Sequence, residues 1–223
     1  MKLSELITHT STWIGIPRTI VESHARYLRE AGMLTSGGRG LAAPPMTLDD
    51  KITLFLSVCG VEVANRAADH VKIWKRLIRI GNDDRDFAFL RAGSVRDLIN
   101  DLITKDLNGG ALDQWLKEAD DAYDRQMSTT HGGNHRITLD FYVDGFTFNL
   151  VISRYAYLND LDHLPNLKQS AADTFEVRFI QPPPGGEIPF QMFRAQQGYL
   201  APSSLIRRLD AKNLRGWGTC LTE

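Results

Sequence analysis

The chain has 223 residues, of which 43% are hydrophobic and 24% are charged, and its formal net charge is −1 at pH 7. These proportions are typical of a folded globular protein and exclude an intrinsically disordered chain. The near-zero net charge excludes a histone-like protein that coats DNA through charge alone.

Residues 3–34 predict two helices joined by a tight turn. Three residues set the turn and the ends of the second helix: Gly15, Pro17 and Gly32. On the second helix, an apolar side follows the spacing i, i+4, i+7 and consists of Val21, Ala25 and Leu28. Six side chains are left facing outward: Arg18, Thr19, Glu22, Ser23, Arg26 and Arg29. A short, basic outer face on the second of two helices is what entry into a DNA major groove requires, which predicts a helix-turn-helix.

Residues 28–34 read Leu-Arg-Glu-Ala-Gly-Met-Leu. This segment resembles the end of the recognition helix in winged-helix bacterial and phage regulators, where an apolar pair after the glycine opens a β-wing. The resemblance covers residues 15–34 and implies that residues 35–40 form the wing tip. Arg39 would then contact the adjacent minor groove or a phosphate.

Two features depart from that family. Ile16-Pro17 replaces the usual Ser or Thr helix cap, and the two prolines in residues 41–45 are incompatible with a regular returning strand. We therefore expect a truncated wing. Residues 1–45 carry five Lys or Arg against three Asp or Glu, so a local DNA site is compatible with the overall charge. The alternative is a small helical subdomain that binds no nucleic acid.

The middle of the chain is predicted to be helical. Thr47 caps a helix over residues 48–59, which is apolar on nearly every side and must be covered by a core or by another subunit. Further helices are predicted over three segments: residues 61–80, 94–107 and 111–127. A small N-terminal domain offers little surface to cover the first of these helices. We therefore expect residues 47–127 to form most of a homodimer interface.

Beyond residue 128 the apolar residues alternate, as in strands. Residues 136–143 and 146–154 flank Asp144-Gly145, a strong hairpin signal. Seven residues are expected on its buried face: Ile137, Leu139, Phe141, Val143, Phe146, Phe148 and Leu150. Further strands are predicted over residues 174–180 and 190–195, and a last helix over residues 202–212.

Candidate sites for chemistry are few. His131, His135 and Asp140 are too scattered for a metal site, and the chain's 2 cysteines make no zinc motif. No glycine loop suggests a nucleotide, and no turn presents a nucleophile. We expect no enzyme activity, no cofactor and no metal. Two basic groups could contact phosphates, or pair with acids and partners instead: Lys72, Lys75, Arg76 and Arg79, and Arg207, Arg208, Lys212 and Arg215.

No secretory pattern opens the chain, and no apolar run approaches the ~20 residues of a membrane span, so we expect a cytoplasmic protein that does not enter membranes. The predicted fold class is α+β with three parts: a winged helix-turn-helix (1–46), a helical dimerisation region (47–127) and an α+β domain (128–223). The expected function is sequence-specific binding of double-stranded DNA, as a phage or prophage-type transcriptional regulator, with a protein partner on the C-terminal domain. The alternatives are a DNA-packaging oligomer like a small terminase subunit, or a phage inhibitor that also regulates its own operon.

Overall fold

The computed structural model describes residues 1–37, 42–80, 87–118, 135–142, 147–157, 169–180, 204–209 and 211–221. Within these ranges, helices from the first half of the chain pack against one antiparallel sheet, and a helix follows the last strand. The α+β class with an antiparallel sheet and a C-terminal helix is therefore confirmed.

Seven α-helices lie in the described ranges: α1 (Leu3–Ile14), α2 (Arg18–Glu30), α3 (Leu48–Gly60), α4 (Ala67–Trp74), α5 (Val95–Asp101), α6 (111–118) and α7 (Ala211–Gly218). Short 3₁₀ turns lie at Ala64–Arg66, Ala88–Arg91 and Thr219–Leu221, and a π-helical turn at Leu102–Asp106. The helix predicted over residues 94–107 is thus α5 continued by the π turn. Its Ser94 cap is confirmed, since the hydroxyl accepts from Asp97 N–H at 3.1 Å.

The sheet contains β1 (Ile78–Ile80), β2 (His135–Tyr142), β3 (Thr147–Tyr157), β4 (Gln169–Ile180) and β5 (Ser204–Leu209). The strand order is β1-β4-β3-β2-β5, and every neighbouring pair is antiparallel. The structure confirms the predicted β2–β3 hairpin, in which Leu139 faces Leu150.

Four of the seven residues expected on the buried hairpin face are buried: Ile137, Leu139, Phe148 and Leu150. The pairing Phe141↔Phe148 follows the expected register. The Phe141 side chain, residues 143–146 and the strand expected over residues 190–195 lie outside the described part of the chain.

Two predicted helices prove wrong where strands form. Residues 78–80 do not extend the preceding helix, because they pair as β1 with Arg178 to Ile180 of β4. Residues 204–209 form the edge strand β5 on β2, and the last helix, α7, begins only at Ala211. In both places pairing with a strand distant in sequence supplies backbone hydrogen bonds, and this tertiary pairing outweighs the local preference for a helix.

Helix α3 lies at the centre of the molecule. Every residue from Asp50 to Gly60 is buried, and the cover comes from α2, α4, α5, β2, β5 and the Thr219–Leu221 turn of the same chain. Of the two covers expected for this helix, the structure shows a core of the same chain, so the argument that placed α3 in a homodimer interface is wrong. The N-terminal domain alone could not have covered it, but the sheet and the other helices do.

The last helix packs on the first one. The Trp217 ring is fully buried, with its centroid 4.4 Å from that of Phe55. Its Nε1 donates to the Thr10 hydroxyl at 3.2 Å, and its carbonyl oxygen lies 3.0 Å from His9 Nε2. Because a carbonyl oxygen can only accept, the donor of this hydrogen bond is the Nε2–H group of His9. Helix α1 is therefore held between α2 and α7.

Candidate nucleic-acid interface

Helix α2 begins and ends as the sequence predicts. Gly15 adopts a left-handed conformation (φ 73°) after α1, and Pro17 precedes the first helical residue. At the other end Gly32 is also left-handed (φ 67°), and Met33 N–H donates to the Leu28 carbonyl at 2.9 Å. A three-residue connection, Gly15 to Pro17, therefore separates two helices that pack on each other.

The predicted inner and outer faces of α2 are both present. Val21, Ala25 and Leu28 are buried. Five of the six predicted outer residues are exposed and Ser23 is half-buried; the exposed ones are Arg18, Thr19, Glu22, Arg26 and Arg29. The outer face thus has exposed residues from the first to the last turn of the helix.

Among the outer residues of α2, the sequence makes Arg18 and Arg26 the best candidates for bidentate guanine contacts, and their surroundings differ. Arg18 Nε lies 2.7 Å from Glu22 Oε1, and its Nη1 donates to the Thr8 hydroxyl on α1 at 2.7 Å. Arg26 lies over the Tyr27 ring, 4.7 Å from its centroid, and its Nε is 3.8 Å from Glu30 Oε1. Arg18 is held against α1, whereas Arg26 stands in the middle of the outer face with weaker restraints.

Sequence reasoning missed His24, which lies on the inner face of α2. Its ring is buried, and its Nδ1 is 2.7 Å from the Ser57 hydroxyl of α3. The i+3 spacing from Val21 places His24 between Val21 and Leu28 on the inner face, a signal that was available in the sequence. This polar contact fixes α2 against the central helix.

The expected wing is not formed by the described residues on either side of its tip. Residues 33–37 and 42–47 contain no strand. Thr35 instead bonds to α3, and Pro44 and Pro45 remove two donors from the returning segment. Arg39 lies outside the described residues, so its DNA contact stays a prediction.

Asp50 joins the segment after α2 to the start of α3. Its carboxylate accepts from Thr35 N–H and hydroxyl, each at 2.7 Å, and from Thr47 N–H at 2.7 Å. The Thr47 hydroxyl in turn accepts from Asp50 N–H at 3.1 Å, which confirms the predicted cap. Burial alone would raise the pKa of Asp50, but these hydrogen bonds together outweigh it and hold the pKa below its ordinary value.

We expect the substitution Asp50→Asn to cost about 2–4 kcal/mol of unfolding free energy at pH 7, because an amide nitrogen would face donors. The lowered pKa of Asp50 means that its contribution is complete above the unfolded value near 3.9 and disappears as the pH falls through the folded value. Denaturant titrations at several pH values should therefore show the difference between wild type and variant shrinking on acidification.

Asp69→Asn is the matched control, because the Asp69 side chain is 81% exposed and lies 3.8 Å from Lys72; we expect a change below about 0.5 kcal/mol. Asp106 does not disturb the comparison. Burial raises the pKa of Asp106, although hydrogen bonds from the N–H groups of Phe89 and Ala88 lower it. The effect of Asp106 on stability therefore has the opposite pH dependence to that of Asp50, but it is the same in wild type and in D50N and cancels in their difference. A wild type and D50N that lose stability in parallel on acidification would contradict the role of Asp50.

In the two basic groups outside α2, several side chains form ion pairs with aspartates of the same chain. Lys75 Nζ lies 2.7 Å from Asp49 Oδ2, and Lys72 Nζ lies 3.8 Å from Asp69 Oδ1. The pairing with neighbouring acids considered for this segment is therefore present. Arg215 bonds to Asp113 and, at 2.8 Å, to the Leu107 carbonyl. It serves the packing of α7 rather than an open phosphate site.

No family model, curated protein or solved structure matches the chain. The geometry of α2 therefore carries the functional argument by itself. None of the helices in the described ranges is both long and apolar enough to cross a bilayer. In the same ranges, no three His, Cys, Asp or Glu side chains converge as a metal ion would require.

Proposed function

We propose that the protein binds double-stranded DNA sequence-specifically through the outer face of α2, as a transcriptional regulator of the phage or prophage type. One observation carries the proposal. Arg18, Arg26 and Arg29 are exposed on one side of a helix whose other side is buried. An α-helix fits the major groove, and arginine forms the commonest specific base contact, with guanine.

The contacts of each arginine suggest its role. Arg26 is central on the outer face and would contact a base edge. Arg18 lies beside α1 and would contact a phosphate, since a bidentate base contact would require it to leave Glu22 and Thr8. No side chain caps the N-terminus of α2, which leaves its first N–H groups for a phosphate as well. A bound phosphate would accept from the N–H groups that a Ser or Thr cap would otherwise satisfy at the Ile16-Pro17 start.

The assembly of the protein is a separate proposal. We retain the homodimer as part of a regulator that binds two half-sites, but its interface must exclude the buried helix α3. We place any protein partner on the C-terminal sheet, whose edge strand β5 lies next to β2 alone among the described strands. A ring of eight or more subunits would favour the DNA-packaging alternative over the regulator.

Selection from duplexes of random sequence tests DNA binding directly. We expect wild-type protein to enrich a defined sequence, and its affinity for that selected duplex to fall with salt at a slope of about −0.9 per phosphate contact. Arg39→Ala should weaken selected and unselected duplexes alike and reduce this slope by about one contact. Lys117→Ala is the control for charge, because Lys117 pairs with Asp113 on α6, outside the helix-turn-helix. No enrichment, together with no duplex binding at low salt, would refute the proposal.

A further inference from the structure

The exposed large hydrophobic side chains of the described ranges are Ile20 and Val63, at 44% and 52%. Ile20 lies on α2, and Val63 directly precedes the 3₁₀ turn Ala64–Arg66. This turn packs on α2. The two exposed apolar residues therefore belong to elements that are neighbours in the fold.

The contacts of α2 place the turn on the side of the helix that carries Ile20. At about 3.6 residues per turn, half-buried Tyr27 lies two turns along from Ile20 and about 20° around the helix. Helix α1 contacts the Arg18 side, about 160° from Ile20, and α3 contacts His24 on the inner face. The side of Ile20 and Tyr27 remains for the turn and for α4, which also pack on α2. Ile20, Tyr27 and Val63 therefore form one apolar surface, which we call the junction surface.

Two charged residues flank Val63 at the junction surface. Glu62 precedes it, and Arg66 closes the turn, where its N–H donates to the Val63 carbonyl at 2.9 Å. Both residues are exposed, and neither forms an ion pair within the described ranges. One acid and one base give no net charge to attract DNA or a strongly charged peptide. Under a twofold axis, however, such a surface is complementary to itself, because Glu62 of one copy faces Arg66 of the other.

We infer that the junction surface is a twofold interface between two copies of this chain, with Ile20 and Val63 at its centre and two Glu62–Arg66 ion pairs at its rim. The inference rests on the homodimer proposed above and names its surface, which leaves α3 buried. An apolar centre with an aromatic side chain and a polar rim is the ordinary composition of protein interfaces. Arg26 lies about 120° around α2 from Ile20, so the interface and the proposed base contact use different sides of the helix.

Sedimentation velocity of full-length protein without DNA tests the pairing of charges. We expect wild type to be a dimer at micromolar concentration. Glu62→Arg and Arg66→Glu should each weaken the dimer at least about tenfold, because like charges then face each other at both ends of the interface. An equal mixture of E62R and R66E should recover a dimer close to wild type in affinity, since each base again meets an acid. Ile20→Ser should weaken the dimer about tenfold or more, because it removes apolar burial from the centre.

Arg29→Glu is the matched control for charge reversal, because Arg29 is an exposed arginine about 180° around α2 from Ile20. We expect R29E to form a dimer like wild type, and circular dichroism verifies that all variants are folded. A wild type that sediments as a monomer would overturn this inference and the homodimer together, whereas DNA binding in the selection experiment would stand. If E62R and R66E weaken the dimer no more than R29E does, the interface lies elsewhere. Folded single variants that stay monomeric in the mixture would overturn the twofold pairing.

Discussion

Arg26→Ala is expected to lower the affinity for the selected duplex by about 5- to 150-fold, which corresponds to about 1–3 kcal/mol for a bidentate guanine contact. The Arg26 side chain is 56% exposed, and its stacking on Tyr27 orients the guanidinium without burying it. The 3.8 Å contact with Glu30 is exposed and contributes little, so a base can displace it easily. Salt-titrated fluorescence anisotropy with selected and unselected duplexes measures the effect.

Two variants separate recognition from charge. Arg26→Lys keeps the positive charge but loses the planar fork, so we expect it to retain non-specific affinity and to lose most of the preference for the selected duplex. Arg29→Ala removes a charge from the last turn of the same helix and should weaken both duplexes by the same factor. A uniform loss in R26A, or full specificity in R26K, would show that Arg26 contacts the DNA backbone instead.

Trp217→Ala is expected to cost about 3–5 kcal/mol of unfolding free energy, because it removes the largest ring from a close-packed site. For a chain of this size that loss lowers the melting temperature by about 6–20 °C. The indole also bonds to Thr10 of α1, so the damage should extend to α1 and to the helix α2 that packs on it. We expect hydrogen exchange to accelerate in α1 and α2 as well as in α7.

A double-mutant cycle isolates the hydrogen bond from the packing. Trp217→Phe keeps a ring near Phe55 and should cost clearly less than the alanine variant, and Thr10→Val removes the acceptor alone at about 1 kcal/mol. The double variant W217F/T10V should lose less unfolding free energy than the sum of the losses in W217F and T10V, because each single substitution already removes the same hydrogen bond. An additive double variant, or a W217A protein that protects α1 like wild type, would contradict the coupling between the two helices.

The parts of the fold that could be predicted from the sequence are those fixed by local chemistry. Gly15 and Gly32 mark left-handed positions, Thr47 caps α3, and the apolar spacing of Val21, Ala25 and Leu28 identifies the inner face of α2. The β2–β3 hairpin follows from alternation on both sides of a short turn. The exposure of the outer face of α2 follows from the same periodicity.

The remaining features depend on contacts between distant residues. Residues 204–209 have the composition of a short helix or a short strand, and pairing with β2 decides between them. The sequence predicts that α3 is buried but not what covers it, because β2, β5 and the Thr219–Leu221 turn reach it from far along the chain. Likewise, no local pattern relates Asp50 to Thr35, or His24 to Ser57. These contacts decide how α2 is held.

The contacts of Trp217 with His9 and Thr10 join residues 208 and 207 positions apart in the chain. Closing so long a loop is slow, since the entropy of closure must be overcome before the contact forms. During synthesis α1 therefore keeps one side uncovered until α7 has been made, about 200 residues later. Residues 1–46 transplanted onto another protein would keep that side of α1 uncovered permanently, so this segment is not a portable module.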